Sequence, residues 1–169
     1  RLVPGLGEGE FTPYRLTPFR GELFFLIDAS AVELQLWSVG PGQAEARRRA
    51  TIAVEVGDEP SSPLVPAMVA LDEGLVLHLS PAGEDALWRS DGTQAGTVKL
   101  LGGYLDYLVG AGAQAFFGKY TPGTGQEIWV SDGTAAGTRL LKDIRPGPAD
   151  SNAGSPVVAG ATAFFLADD

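Results

Sequence analysis

A chain of 169 residues with 44% hydrophobic residues is long enough to bury a core, and its formal net charge of −9 argues against a nucleic-acid partner. The absence of cysteine excludes disulfides and thiolate metal sites, and no apolar run approaches the roughly 20 residues that a membrane-spanning helix needs. The 23 glycines and 12 prolines favour short strands joined by turns, so we expect an all-β protein.

The first residues are similar to a strand that occurs later in the chain. Residues 1–3 resemble residues 139–141, and a Pro-Gly pair follows each segment, at 4–5 and at 146–147. Since the first residue is Arg1 rather than Met, we expect a piece of a longer protein that opens with a partial unit at residues 1–4.

The first whole unit is predicted over residues 14–56. Phe24 lies in a run of apolar residues at consecutive positions, which indicates a strand buried on both faces. Trp37 follows in the next strand, and an arginine-rich insert at 47–49 precedes a last strand near residues 51–56. The arginines are predicted either to balance local acid or to lie on an exposed loop.

Two better preserved units are predicted over residues 65–101 and 104–144, and a partial unit over residues 155–169. Each whole unit divides into four strands bounded by Gly, Pro, Asp or Asn. The predicted strands are 65–71, 75–80, 86–90, 97–101, 105–109, 114–120, 126–131 and 138–144. The whole pattern predicts 15 strands in a β-propeller-type repeat array of four-stranded antiparallel blades, with three whole units and partial units at both termini.

One segment occurs twice, 41 residues apart. Residues 87–97 (LWRSDGTQAGT) return as residues 128–138 (IWVSDGTAAGT), with eight of eleven positions identical. A period of about 40 residues is typical of propeller blades. The repetition therefore indicates an architecture rather than a single active site.

The repeated segment is predicted to form a structural turn between two strands of a unit. Its aspartates accept hydrogen bonds from backbone N–H groups, its threonines add hydroxyl bonds, and its glycines adopt positive φ at low cost. Its tryptophans pack between neighbouring blades, with the indole N–H bonded to a loop carbonyl. The residues of this motif are Trp88, Asp91, Gly92, Thr93, Gly96, Thr97, Trp129, Asp132, Gly133, Thr134, Gly137 and Thr138.

The aspartates of the motif, Asp91 and Asp132, are also candidates for calcium ligands, and calcium is the one cofactor that the sequence suggests. One carboxylate per loop is few for a cation that takes six to eight oxygens, so the structural turn is favoured. Asp28, Asp168 and Asp169 add carboxylates at the ends of second strands, where solvated strand ends are favoured.

No catalytic residue is predicted. His78 is the only histidine, but no Gly-x-Ser-x-Gly motif accompanies it, and a neutral histidine that fills a strand position is favoured. The acid pairs 72–73 and 84–85 are adjacent in sequence, which does not indicate the separation that a glycosidase needs. Tyr104, Tyr107 and Tyr120 are candidates to line a carbohydrate-binding groove, with ordinary packing as the alternative.

Residues 87–97 and 128–138, with the tail Lys142 to Gly147, resemble the bacterial ELWxxDGT-repeat family. The glutamate that opens the family's motif is Glu127 in one copy and is replaced by Ala86 in the other, and the first unit lacks the Asp-Gly-Thr. The resemblance implies secreted or cell-surface proteins with propeller-like repeats. It implies no established set of catalytic residues.

The sequence therefore predicts a non-catalytic extracellular or cell-surface module for binding or scaffolding. The alternatives are a fragment of a propeller-fold glycan-processing enzyme and a purely structural spacer. A protein or a carbohydrate is the expected ligand, and self-association or further repeats of the parent chain are expected to complete the ring, with no nucleic acid and no membrane span.

Overall fold

The computed structural model describes residues 13–30, 33–53, 64–80 and 85–169, with only the backbone described at 64–66. The described residues form fourteen strands and no helix, so the predicted all-β class is confirmed. The strands are β1 (Tyr14–Phe19), β2 (Glu22–Ser30), β3 (Glu33–Val39), β4 (Arg47–Ala53), β5 (Leu64–Ala70), β6 (Leu75–Ser80), β7 (Ala86–Ser90), β8 (Val98–Gly102), β9 (Leu105–Ala111), β10 (Gln114–Thr121), β11 (Gly125–Ser131), β12 (Arg139–Leu140), β13 (Val157–Ala159) and β14 (Thr162–Phe164).

The strands form four separate antiparallel sheets in series along the chain. Strands β1–β4, β5–β8 and β9–β12 form three four-stranded sheets in sequence order, here called units 1, 2 and 3. Strands β13 and β14 form a two-stranded sheet, the terminal hairpin. This arrangement confirms the predicted propeller-type array of blades; the strand predicted at residues 1–4 lies outside the described residues.

The second and third strands of every unit pair in the same register. One apolar residue of the second strand lies opposite the tryptophan of the third. The three pairs are Phe25 with Trp37, Leu77 with Trp88, and Phe117 with Trp129. The repeat seen in the sequence is therefore a repeat of cross-strand pairs, which are the unit of sheet stabilisation.

The sheet of unit 2 is buried on both faces by its neighbours. Leu75 and Leu77 pack in a cluster with residues of unit 1, whereas Val76 packs in a cluster with residues of unit 3. Alternate residues of a strand point to opposite faces, which is why β6 is apolar at consecutive positions. Burial of one such side chain stabilises by about 1.5–3 kcal/mol, so the stacking of units supplies much of the core.

The arginines of unit 1 begin its fourth strand, so the strand predicted near residues 51–56 starts earlier than expected, and the arginines belong to it rather than to an insert. Residues 54–56 lie outside the described residues. The connections between third and fourth strands, 40–46, 91–97 and 132–138, are all seven residues long. Arg49 forms an ion pair with Glu22. The Glu22 carboxylate accepts hydrogen bonds from Ser38 and from Arg49, which hold its pKa below the usual range, with Ser38 making the larger contribution. The sequence predicts that the arginines at 47–49 either balance local acid or lie on an exposed loop, and for Arg49 the structure shows the first of these.

The fourth strand of unit 3 is shorter than predicted, and Glu127 explains why. Its fully buried carboxylate accepts the backbone N–H of Ile144 at 3.2 Å and of Arg145 at 3.3 Å. These amides bond to a side chain instead of to the backbone of β11, and β12 ends at Leu140. In unit 2 the equivalent residue is Ala86, which offers no acceptor, and β8 continues as far as its partner Gly102.

Candidate binding surface

The Asp-Gly-Thr turn of unit 2 is closed by the carboxylate of Asp91. Oδ1 of Asp91 accepts the backbone N–H of Thr93 at 2.9 Å and its hydroxyl at 2.7 Å, and the Thr93 hydroxyl in turn accepts the N–H of Gly96 at 3.0 Å. The hydrogen bond from the Thr93 side chain holds the pKa of the Asp91 carboxyl below its usual range. The turn of unit 3 repeats these three bonds at 2.8, 2.7 and 2.9 Å, with the same pKa direction for Asp132.

The hydroxyl groups of the turn form a directed chain of hydrogen bonds. Thr97 must donate to the carbonyl of Thr93, 2.7 Å away, because a carbonyl only accepts. Ser90 therefore donates to Thr97 at 2.7 Å, and the Ser90 oxygen accepts the N–H of Gly92 at 3.1 Å. The same chain occurs in unit 3. The aspartate, serine and threonine side chains of each turn are therefore bonded within the turn itself.

The two glycines of each turn have different reasons for being glycine. Gly92 and Gly133 adopt φ of 89° and 86°, as expected from the sequence. Gly96 and Gly137 are not among the positive-φ residues, so that part of the expectation is wrong. A Cβ at these positions would lie 2.0 and 2.1 Å from the neighbouring aspartate Oδ1, so the turn requires the missing side chain for space.

Each turn also rests on the preceding unit. A Cβ on Gly92 would lie 3.2 Å from Cζ of Phe24 in unit 1. Beside it, the side-chain amide of Gln94 accepts the backbone N–H of Thr51 at 2.7 Å and donates to the carbonyl of the same residue at 2.9 Å. The end of the units that carries residues 40–46, 91–97 and 132–138, here called the turn end, therefore joins neighbouring units. In unit 3 the position of Gln94 is occupied by Ala135.

The tryptophans of the motif pack between units as predicted, but their hydrogen bonding differs from the prediction. Trp88 packs against the cluster shared by units 1 and 2, and Trp129 against the cluster shared by units 2 and 3. Both indole Nε1 atoms are buried without a partner. In unit 1, by contrast, Trp37 donates to the side chain of Gln35 at 2.9 Å.

The opposite end of the units carries side chains that differ from unit to unit. This end, here called the variable end, comprises the starts of first and third strands and the ends of second and fourth strands. A pair of apolar residues recurs at 24–25, 76–77, 116–117 and 164–165, in the three units and at the terminal hairpin. Four residues after the first member of each pair lie Asp28, Ser80, Tyr120 and Asp168. In repeat arrays the shared positions build the scaffold, which leaves the positions that differ free to carry the chemistry of ligand binding.

In unit 2 the variable end holds a pair formed by the buried His78 and the partly buried Asp85. Nε2 of His78 lies 3.1 Å from Oδ1 of Asp85, whose Oδ2 accepts the backbone N–H of Leu105 in unit 3 at 3.1 Å. Burial raises the pKa of the Asp85 carboxyl, but hydrogen bonds led by Ser80 outweigh burial and lower it overall. Ser80 bonds to the aspartate rather than to the histidine, so the three side chains are not in the order of a Ser-His-Asp relay.

In unit 3 the variable end presents two exposed tyrosines side by side. Tyr120 donates its backbone N–H to the carbonyl of Tyr104 at 3.3 Å, and their side chains are 45% and 59% exposed. Gln126 lies opposite Tyr120 on β11, and its amide donates to Oδ2 of Asp106 at 3.2 Å. Since paired cross-strand residues share a face, aromatic rings lie beside an amide and a carboxylate.

The remaining candidates occupy separate places. Tyr107 is half-buried, donates to the carbonyl of Ala153 at 3.5 Å, and burial raises its pKa to about 12, so it does not join the exposed tyrosines. Asp28 accepts the hydroxyl of Tyr14, and Asp168 accepts the amide of Asn152 at 2.9 Å.

The acid pairs are divided by position. Glu73 forms an exposed ion pair with Arg20, with Nη2 and Oε2 3.7 Å apart, and Glu84 lies outside the described residues. Within the described ranges, no group of three or more His, Cys, Asp or Glu side chains converges in a way that could hold a metal ion. Nor do these ranges contain a helix with the length and apolar character needed to cross a membrane.

No protein-family model and no curated protein matches the chain. A solved structure titled AtxE2 isopeptidase, in its apo form, is similar with a TM-score of 0.54 and 15% sequence identity. The match covers 80% of this chain and 21% of that chain, so the chain spans about a fifth of its length. At this identity the likeness shows the fold alone.

Proposed function

We propose that the chain is a non-catalytic binding and scaffolding module of a secreted or cell-surface protein, with a carbohydrate as its ligand. The tyrosine pair of unit 3, Tyr104 and Tyr120, is the binding site in this proposal. The resemblance of residues 87–97 and 128–138 to the ELWxxDGT-repeat family supports the secreted or cell-surface setting.

One observation carries the proposal: the two ends of the units use their polar groups differently. At the turn end, the aspartate, serine and threonines bond to one another and to the backbone. At the variable end of unit 3, two tyrosine rings are exposed beside Gln126 and Asp106. Flat aromatic faces with adjacent hydrogen-bonding groups suit the apolar faces and hydroxyl groups of sugars.

Binding to immobilised oligosaccharides tests the proposal. The wild-type chain is screened against cello-, xylo-, manno-, malto- and chito-oligosaccharides, and the strongest binder is measured by calorimetry. Tyr104→Ala and Tyr120→Ala are each expected to weaken binding by roughly tenfold, which corresponds to about 1.4 kcal/mol. Leu16→Ala is the matched control, because Leu16 is 57% exposed on unit 1. Wild-type binding to none of these sugars contradicts a carbohydrate ligand.

A second candidate is a fragment of a propeller-fold enzyme that cleaves glycans; the likeness of the fold to that of a structure named as an enzyme, an isopeptidase, is the observation that favours an enzyme. The two candidates differ in the fate of the ligand. A binding module returns the bound oligosaccharide unchanged, whereas an enzyme shortens it. Mass spectrometry of the ligand after long incubation distinguishes them, with recovery of the intact sugar expected.

A further inference from the structure

Tyr104 of the proposed carbohydrate site lies in the connection between β8 and β9, which comprises residues 103–104. Gly103 adopts a φ of 102°, a conformation that glycine takes at low cost. Glycine also loses more backbone entropy than any other residue when its conformation is fixed. The placement of the Tyr104 ring therefore depends on the contacts that hold this connection.

Unit 2 holds the connection on both sides of Tyr104 through a single residue, Asp85. The backbone carbonyl of Asp85 accepts the N–H of Gly103 at 3.1 Å. Oδ2 of Asp85 accepts the N–H of Leu105, also at 3.1 Å. The residues immediately before and after Tyr104 are therefore both bonded to Asp85, while the carbonyl of Tyr104 itself accepts the N–H of Tyr120 at 3.3 Å.

The Asp85 carboxylate is itself fixed by side chains of β6. Oδ1 lies 3.1 Å from Nε2 of His78, and Ser80 bonds to the same carboxylate. Because an ionised carboxylate only accepts hydrogen bonds, Nε2 carries the proton and the histidine donates. Nδ1 of His78 is buried without a partner among the described residues, so the hydrogen bond that this buried ring makes there is the one to Asp85.

The same position of unit 3 separates what is repeated in these contacts from what is particular to Asp85. Alignment of the tryptophans makes Gln126 the equivalent of Asp85, and alignment of the Phe-Phe pairs makes Ser151 the equivalent of Gly103. The carbonyl of Gln126 accepts the N–H of Ser151 at 3.2 Å, so the backbone bond recurs. The side-chain bond does not, because the amide of Gln126 bonds to Asp106 within its own unit. A carboxylate that reaches the next unit is thus particular to the joint beside the exposed tyrosines.

We propose that Asp85 is a positioning residue of the carbohydrate site: its carboxylate, fixed by His78, holds the connection 103–104 so that the Tyr104 ring is placed beside Tyr120 before a sugar binds. This role rests on the proposed function of the tyrosine pair. The site then belongs to two units, since its tyrosines come from unit 3 and their support comes from unit 2. A site held in its bound form before the ligand arrives loses less conformational entropy on binding and binds more tightly.

Calorimetry with the oligosaccharide that the wild-type chain binds most strongly tests this role. Asp85→Ala removes the side-chain acceptor for Leu105 and is expected to weaken binding about tenfold at unchanged stoichiometry. Asp85→Asn keeps an acceptor oxygen and is expected to bind within about threefold of the wild type. A merely structural role would instead lower the fraction of competent molecules and leave their dissociation constant unchanged. Asp72→Ala, at an exposed position, is the matched control and should bind as the wild type does.

His78→Leu removes the support of the carboxylate and leaves Asp85 in place. Leucine is the natural residue at the equivalent position of unit 1, where Leu26 is fully buried, so the variant is expected to keep its strands. Sugar binding is expected to weaken about threefold, because the Asp85 carboxylate loses one of the bonds that fix it. The amide of Leu105 should also exchange its hydrogen faster than in the wild type. Circular dichroism and urea unfolding check that all variants are folded.

The outcomes distinguish the positioning role from the proposed function. Wild-type affinity in Asp85→Ala, or a lower stoichiometry at an unchanged dissociation constant, overturns the positioning role and leaves the carbohydrate site in place. Equal losses in Asp85→Ala and Asp85→Asn overturn it as well, because the acceptor oxygen is then not the property that matters. Binding of the wild-type chain to none of the sugars overturns the proposed function, and the positioning role with it.

Discussion

The carboxylate of Asp91 occupies the space that a side chain at position 96 would need. A Cβ on Gly96 would lie 2.0 Å from Oδ1 of Asp91, and the same relationship holds at 2.1 Å between Gly137 and Asp132. The aspartate and the second glycine of Asp-Gly-Thr-x-x-Gly-Thr therefore depend on each other. The aspartate closes the turn, and the glycine leaves space for the carboxylate.

Gly96→Ala is expected to destabilise the chain by about 1–3 kcal/mol, the usual cost of overpacking. Urea unfolding measures the change. Gly123→Ala is the matched control, because a Cβ there meets nothing within 4 Å, and it is expected to have little effect. In the double variant Asp91→Ala/Gly96→Ala the clash is absent, so the cost is expected to be less than the sum of the single costs. Strict additivity would show that the two residues do not compete for space.

The turns are also expected to make stability depend on pH. The pKa values of Asp91 and Asp132 are lowered in the folded chain, first of all by the threonine side-chain bonds. Their stabilising contribution is therefore complete above the ordinary aspartate value of about 3.9 and is lost as the pH falls through the lowered folded values. The free energy of unfolding should rise with pH below about 4.

The double variant Asp91→Asn/Asp132→Asn is expected to reduce that slope, as measured by urea unfolding at several acidic pH values. Glu22 and Asp85, whose pKa values are also lowered, supply the slope that remains. Asp72→Asn, at an exposed position, is the control. An unchanged slope in the double variant would mean that the turn carboxylates are not linked to folding.

The strand order and the turn could be predicted from sequence because both depend on local chemistry. The 41-residue period and the Asp-Gly-Thr signals mark where strands end, and burial of both faces of β6 follows from its apolar residues at consecutive positions. The role of Gly96 could not be predicted in this way. It depends on where the Asp91 carboxylate lies in space, and sequence spacing does not give that position.

The variable end was less accessible to sequence reasoning because it depends on which residues face one another across strands. Tyr104 and Tyr107 are close in sequence, yet the neighbour of Tyr104 on the surface is Tyr120. The sequence places Asp85 next to Glu84 as an acid pair, whereas its partners in the structure are His78 and a backbone amide of the next unit. Because the residues of the variable end differ from unit to unit, the repeat in the sequence does not indicate which of them lie side by side.

Gln94 is expected to hold units 1 and 2 together at the turn end. Its amide bonds to both backbone groups of Thr51, and Gln94→Ala should cost about 1–2 kcal/mol in the free energy of unfolding, since each such bond contributes about 0.5–1.5 kcal/mol. Hydrogen exchange gives a local readout, because the amide of Thr51 loses its acceptor and should exchange faster. Gln114→Ala, an exposed glutamine at a hairpin turn, is the control. Unchanged exchange at Thr51 would contradict the role of Gln94.

Glu127 is expected to be the most sensitive acid of unit 3, because it is fully buried and binds two backbone amides. Glu127→Ala leaves the N–H groups of Ile144 and Arg145 without this acceptor and should cost about 2–3 kcal/mol. Glu127→Gln keeps one acceptor oxygen and should cost less. Glu45→Ala, at an exposed position, is the control.

Thermal unfolding ranks the Glu127 and Glu45 variants by stability, and hydrogen exchange of residues 142–147 reports the local effect. Equal losses of stability in Glu127→Ala and Glu45→Ala would show that residues 142–147 are held by other contacts. The natural Ala86 of unit 2 predicts the structural result: without the carboxylate, the fourth strand of unit 3 should lengthen along β11 as β8 does along β7.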